Sequence, residues 1–378
     1  MAGYEIPQHS KALHATEAGQ ALQTTTVPVP ELLPNSVLVK VLSTALNPHD
    51  SLVQRTGMLI PSFPFIPGAD VAGTVLKLGP GVDKYKVGDV VFGQINWPAT
   101  SKNDKGEDVP RFRDFAGARE YALVDVRSSA KVDECGDGDG REAVDKAVTM
   151  PTNAVAAVWG FVDQTGFNLP LLSVFGSTAE ERKKDGFDAR KHDIVVIGGG
   201  AQVGKLVVQI ARLMGWRKIV VVADALKNEA ELKEMGATDI VDRHGGNEEM
   251  IRKIRTIVGD ELRYCFNAVS QDKTVAVGVL SNTVEGHLNN VLYGEVKEKE
   301  LVGRKGAGYK ETLSQGQSLP NIEAAKRFWE KLPVWLKNGD LKVPMWRAIE
   351  GLDADKVMEV LTQYGDGKAV PEHVHIRP

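Results

Sequence analysis

The chain has 378 residues, 42% of them hydrophobic and 25% charged, with a formal net charge of −4. That length and apolar content suit two or so domains with large cores, and a slightly acidic chain offers no basic footprint for nucleic acid. No apolar run reaches the roughly 18 residues that span a membrane; with no signal-peptide core and only Cys135 and Cys265, a reducing, cytoplasmic setting without a cysteine-rich zinc lobe is expected.

The first elements are short and β-like. Residues 37–42, 71–78 and 90–92 predict strands, with Gly79-Pro80-Gly81 and Val87-Gly88-Asp89 as turns between them. Short strands divided by Gly/Pro turns predict a β-rich domain of partly open barrel type. The polar stretches 100–114 and 178–192 predict solvated loops, with shaping of a substrate entrance as the alternative.

Past the middle of the chain the texture changes. Asp193-Ile194-Val195-Val196-Ile197 predicts a strand, 198–204 a glycine-rich turn, and 205–214 a helix with apolar residues at three-to-four spacing. Such a turn places backbone N–H groups at a helix N-terminus, where a pyrophosphate is held by partial positive charge. Read as G-x-G-x-x-G it runs Gly199, Ala201, Gly204, with alanine at the close-approach position, and an ordinary tight turn is the competing explanation. Further along, 218–223 predicts a second strand, 228–235 a helix closed by Gly236, 239–241 a strand, 249–258 a helix and 262–266 a fourth strand. This alternation predicts a doubly wound parallel sheet, an α/β fold of Rossmann type. Gly199, Gly200, Ala201, Gln202, Val203 and Gly204 are the cofactor-binding candidates of the turn.

Pro64-Phe65-Ile66-Pro67-Gly68-Ala69-Asp70-Val71-Ala72-Gly73-Thr74-Val75, then Gly79, Gly81-Val82 and Val87-Gly88-Asp89-Val90-Val91-Phe92-Gly93, resemble the medium-chain dehydrogenase/reductase superfamily. Ala45-Leu46-Asn47-Pro48-His49-Asp50 resembles its cleft-lining segment, and Gly367-Lys368-Ala369-Val370 its closing strand. The resemblance implies a GroES-like barrel domain built from 1–153 and 316–378, with a Rossmann domain, 154–315, inserted between. It also implies contacts from Asn47, Pro48, His49 and Asp50 to the nicotinamide and its ribose, and a cofactor contact from Lys368.

Zinc alcohol dehydrogenases carry Cys and His-Glu where this chain has Asn47 and Ala69-Asp70, so no metal site is expected. Without a Lewis acid the expected substrate is a conjugated carbonyl, reduced by hydride addition to its β-carbon. The zinc-free quinone oxidoreductases and enoyl reductases resemble the chain, and the long segment before the nucleotide fold, Asn47-Pro48-His49-Asp50 and Ala225-Leu226-Lys227-Asn228 together most resemble the fungal trans-acting enoyl reductases. That resemblance implies a small-molecule or carrier-bound substrate, with a polyketide synthase carrier protein as partner in the second case. A quinone substrate, and a nucleotide-binding protein with little turnover, stay open as alternatives. Asn47 and His49 are the catalytic candidates, His49 as proton donor or else as a packing residue.

For the cofactor, Asp224 invites NAD, but counting back from Gly236-Ala237 puts the usual acidic position on Ala223 and leaves Asp224 as an N-cap or loop residue. In the resembling reductases a Ser-Pro-Lys-Asn-like turn meets the 2′-phosphate; its equivalent here is Ala225-Leu226-Lys227-Asn228. NADPH is therefore expected over NADH, with Lys227 as the phosphate's point charge or else a solvated lysine. Arg243 stacks on adenine, contacts phosphate or is simply exposed. Val291 and Leu292 pack on the nicotinamide or are plain strand residues.

Overall fold

Runs of valine and isoleucine that read as strands do pair as strands, and the chain distributes them between two units. The computed structural model describes residues 5–97, 99–102, 105–136, 138–303, 305–314, 316–368, 370 and 372–378. Unit 1 comprises Met1–Thr152, Gln317–Gly339 and Val343–Pro378; unit 2 comprises Asn153–Gly316 with Asp340–Lys342. Among the described residues, no helix is long and apolar enough to cross a membrane.

Unit 2 holds a six-stranded, wholly parallel sheet. Its central strand, Asp193–Ile197, is buried at every position, as expected where helices cover both faces. Lys218–Ala223 and then Asp239–Asp242 lie on one side of it; Tyr264–Asn267, Gly286–Asn290 and Tyr309–Leu313 follow on the other. Counted in chain order this is 3-2-1-4-5-6, with the switch point beside the first strand. The Gln202–Met214 helix keeps Leu206, Val207, Val208, Ile210 and Ala211 buried.

Unit 1 is β-rich. Ser36–Ala45 pairs with Asp70–Leu78, with Tyr121–Asp125 through its first half and with His373–Arg377 through its last residues, so one long strand organises a seven-stranded sheet. Val37, Val39 and Val41 meet Val71, Val75, Val91 and Val124 in one of its cores.

Four expectations shift. The helix expected at 228–235 begins at Ala225, because Asp224 caps it by accepting from the Lys227 N–H, so residues 225–228 form a first helical turn. The strand expected at 262–266 runs Tyr264–Asn267. The 100–114 stretch is more than a loop: Thr100–Lys102 pairs with Asp108–Pro110, and Phe112 and Phe115 are buried. The closing strand lies at His373–Arg377; Lys368 and Val370 precede it without strand structure, and Ala369 lies outside the described residues.

Beside this sheet, Asp145 accepts from Ser43 Oγ at 2.7 Å and is paired by Arg377 and by His375 Nδ1, the latter at 3.4 Å. His373 is 1% exposed, and neither ring nitrogen has a hydrogen-bond partner among the described residues. Burial, reinforced by His375, pushes its pKa down from 6.5 to about 3. The folded protein therefore keeps His373 neutral while the unfolded chain takes up a proton below pH 6.5. This group costs no stability above that pH, and about 1.4 kcal/mol per pH unit on the way down from it. Urea unfolding at pH 7.5 and 5.5 is expected to show a smaller acid loss in His373→Gln than in wild type, by about 1 kcal/mol. Equal losses would contradict it.

Candidate active site

In unit 1 the chain turns from strand to helix at Asn47. Asn47 is the N-cap of the Pro48–Thr56 helix and forms a reciprocal capping box with Asp50, whose carboxylate accepts the Asn47 N–H at 2.7 Å. The second Asp50 oxygen accepts the Gly68 N–H at 3.0 Å. Asn47 Nδ2 donates to Asp70 Oδ2 at 2.9 Å, while Asp70 Oδ1 accepts from the Thr152 N–H at 3.0 Å and from its hydroxyl at 2.7 Å. Asn47, Asp50 and Asp70 are all buried. Burial is the main cause that raises the Asp70 carboxyl to about 7; the Thr152 and Asn47 hydrogen bonds oppose it and the Asp50 charge adds to it. Pro48 takes the start of the helix, where its missing N–H is not needed.

His49 is the more accessible member of this group. Its Nε2 lies 3.8 Å from Asp50 Oδ1, and its ring meets Trp97 edge-on at 6.0 Å between centroids. Sequence reasoning singled out Asn47 and His49 but gave no role to Trp97 or to the Asp70–Thr152 pairing. A signal existed for Asp70, an acid opening an apolar strand. None tied it to Thr152, 82 positions away.

In unit 2 the turn at 198–204 is built for close approach. Gly198 has φ +81°, and the N–H groups of Gly198 and Gly199 both reach the Val222 carbonyl, at 2.9 and 3.0 Å. A Cβ on Gly199 would meet Val221, and one on Gly204 the Gly198 carbonyl, each under 3.0 Å. The N-cap of the following helix is Ala201, which offers no side-chain cap. The N–H groups of its first turn, at Gln202, Val203 and Gly204, are the ones a ligand anion can take up. Gly200 sits against the Asn228 side chain, which donates to the Asp224 carbonyl at 2.9 Å.

At the tip of the second strand Asp224 Oδ2 lies 3.6 Å from Lys227 Nζ and 3.8 Å from Arg243 Nη2, both side chains mostly exposed. Asp242 accepts the Ala225 N–H at 3.1 Å, which leads the causes holding its carboxyl below the usual range. Among the described residues Asp224, Asp242 and His244 bring ligand-type atoms within 4.8 Å of one another. These groups are already committed to the helix cap, the ion pairs and the Asp242–His244 contact. Val291 follows the Gly286–Asn290 strand and donates its N–H to the Asn267 carbonyl at 3.2 Å; Leu292 is 41% exposed. Lys368 pairs with Asp366 at 3.2 Å on the surface of unit 1.

Residues 33–134 match the family described as the alcohol dehydrogenase GroES-like domain, and residues 203–323 the zinc-binding dehydrogenase family. Dehydrogenase orsE of Emericella nidulans is 30% identical over 74% of this chain and 76% of its own length. The chain belongs to the medium-chain dehydrogenase/reductase superfamily of oxidoreductases. Trans-enoyl reductase RAP2 of Pyricularia oryzae is 25% identical over 72% of this chain and 67% of its own. The mycobacterial protein Rv1454c, solved as a complex with NADPH, shares the fold at TM-score 0.70 and 18% identity, over 98% of this chain and 100% of that one.

The superfamily's dinucleotide fits the unit 2 turn, whose glycines keep clear a cradle that any Cβ would fill. The residues at the superfamily's metal positions do not fit a catalytic zinc. Asn47 turns an N–H towards Asp70, Ala69 offers a methyl group, and Asp70 is held by three donors. Gly204→Val is expected to abolish saturable binding of NADPH and NADH in a calorimetric titration of protein that keeps a folded circular-dichroism spectrum. Wild-type affinity in that variant would contradict the assignment.

Proposed function

We propose that the protein is a zinc-independent, NADPH-dependent reductase of conjugated carbonyl compounds, acting on enones or enoyl thioesters, carrier-bound polyketides among them. The observation that carries this reading is the Asn47–Asp50–Asp70–Thr152 network. It fills the neighbourhood of the superfamily's metal positions with hydrogen bonds made by the protein to itself. A site without a Lewis acid suits a substrate whose developing charge spreads through conjugation. The bound nicotinamide supplies the hydride. His49, beside Asp50 and Trp97, holds the proton for the carbonyl side, and the buried Asn47 and Asp50 keep the helix start that carries it in place.

NADPH is favoured over NADH by Lys227 and Arg243, two mostly exposed cations beside Asp224 that are able to turn to a 2′-phosphate. RAP2 is named a trans-enoyl reductase, which agrees with an enoyl substrate.

NADPH oxidation measured against enones, enoyl thioesters, quinones and simple ketones is expected to be fastest with the first two, with no loss on chelation. Turnover confined to simple ketones, or one lost with a stoichiometric zinc, would overturn the reading. Lys227→Ala should raise the NADPH dissociation constant about tenfold and leave NADH nearly unchanged, since a charged hydrogen bond to phosphate is worth roughly 1.5–3 kcal/mol. Equal effects on both cofactors would remove Lys227 from the phosphate site.

A further inference from the structure

The stretch expected to be a solvated loop places Arg111 and Arg113 just ahead of Asp114, and Arg119 approaches the same carboxylate from beyond it. Arg111 pairs with Asp114 through Nε and donates from Nη1 to Ser101 Oγ at 3.2 Å. Arg119, 2% exposed, holds Nη1 3.8 Å from Asp114 and donates from Nη1 to the Arg113 carbonyl at 3.3 Å and from Nη2 to the Pro28 carbonyl at 2.6 Å. Among the described residues the Arg113 side chain makes one hydrogen bond, Nη2 to Ser62 Oγ at 2.8 Å, and no ion pair. The Nε atoms of both Arg113 and Arg119 are buried with no acceptor among those residues. Burial pushes both guanidinium groups down, Arg119 to about 10, with Asp114 the charge that opposes it. Burying cations in excess of their counter-charges is unfavourable, and an oxyanion is the group that would relieve it.

The position of Arg113 says what such an oxyanion would be attached to. Its guanidinium carbon lies 5.3 Å from the centre of the Phe112 ring. Phe112 stacks on Trp97 at 5.9 Å, and Trp97 meets His49 at 6.0 Å. Trp97 therefore stands between the proton-bearing residue of the proposed reaction and the buried ring that braces Arg113, which makes no ion pair among the described residues.

We propose that Arg113 is a specificity-determining residue that binds an oxyanion, carboxylate or phosphate, on the far end of a conjugated carbonyl substrate whose apolar middle passes Trp97, with the buried Phe112 ring supporting both residues. This rests on the reading of His49 and of the conjugated substrate given above. A planar guanidinium already braced on one side by Ser62 and Phe112 is suited to a two-point grip on such a group. Selection by Arg113 would favour substrates ending in charge over equally long neutral ones.

With NADPH, (E)-7-oxooct-5-enoic acid is compared with its methyl ester, and the crotonyl thioester of 4′-phosphopantetheine with that of pantetheine. Wild type is expected to prefer one charged member by about tenfold or more in kcat/KM, and the pair that shows the preference separates carboxylate from phosphate. Arg113→Gln should remove the preference and keep neutral substrates within about twofold. Arg113→Lys should restore part of it, because a point charge lacks the fork. No preference in either pair, or an equal loss on charged and neutral substrates in Arg113→Gln, would overturn the proposal. If no conjugated substrate is reduced at all, the parent reading fails, and binding decides the subsite alone. Tryptophan quenching by the same four compounds should then still show tighter binding of a charged member, lost in Arg113→Gln; equal affinities would sink it.

Discussion

A carboxylate buried without a cation must be answered by hydrogen-bond donors, and Asp70 takes its donors from the starts of two helices. Thr152 supplies an N–H and a hydroxyl from the first turn of the Pro151–Val162 helix, and Asn47 supplies its amide from the cap of the Pro48–Thr56 helix. Asp50 completes the arrangement by accepting from the Asn47 and Gly68 N–H groups, and Gly68, at φ +93°, sits where a Cβ would strike Thr44. Strand, glycine and both helix starts are thereby fixed to one another. The two-point commitment of Asn47 leaves it bracing the site, while His49 keeps the freer side chain. Losing the Asn47 amide would take from Asp70 Oδ2 its buried donor, a cost of about 1–3 kcal/mol.

The tip of the second strand in unit 2 shows a different balance. Asp224 serves as helix cap and as the shared counter-charge of Lys227 and Arg243. Asp224 follows the strand that ends at Ala223, and its carboxylate is turned towards the cap and two cations. Both cations are mostly solvated, so their pull on a phosphate is moderate and depends on salt. The proposed preference for phosphate rests on two solvated cations more than on enclosure.

Much of the nucleotide fold was legible because strands buried on both faces appear as unbroken apolar runs. Asp193–Ile197 and Lys218–Ala223 stand where those runs do, and Gly199 and Gly204 sit where a side chain would collide with strand or turn. The first turn of the Ala225–Met235 helix was hidden, because Leu226 is 98% exposed and gives no apolar period to follow. The 100–114 stretch misled for the opposite reason. Phe112 and Phe115 are buried among Arg111, Arg113 and Asp114, and the charges mask them in a hydropathy reading. Near the C-terminus Gly367 lies in the turn that follows the Ala354–Gly365 helix, donating to the Tyr364 carbonyl at 3.1 Å, and the strand begins at His373. At the site, Asn47 and His49 were legible as positions. The partnership of Asn47, Asp70 and Thr152 was not, because no local pattern joins residues so far apart along the chain.

In the proposed reaction, a site braced by its own hydrogen bonds, without metal donors, directs hydride to the β-carbon of a conjugated carbonyl. The most direct measurement follows deuterium from NADPH labelled at C4 into the product of an enone, by mass spectrometry and NMR. One deuterium on the β-carbon of a saturated ketone is the predicted result. Deuterium on a carbinol carbon, with the double bond retained, would contradict it.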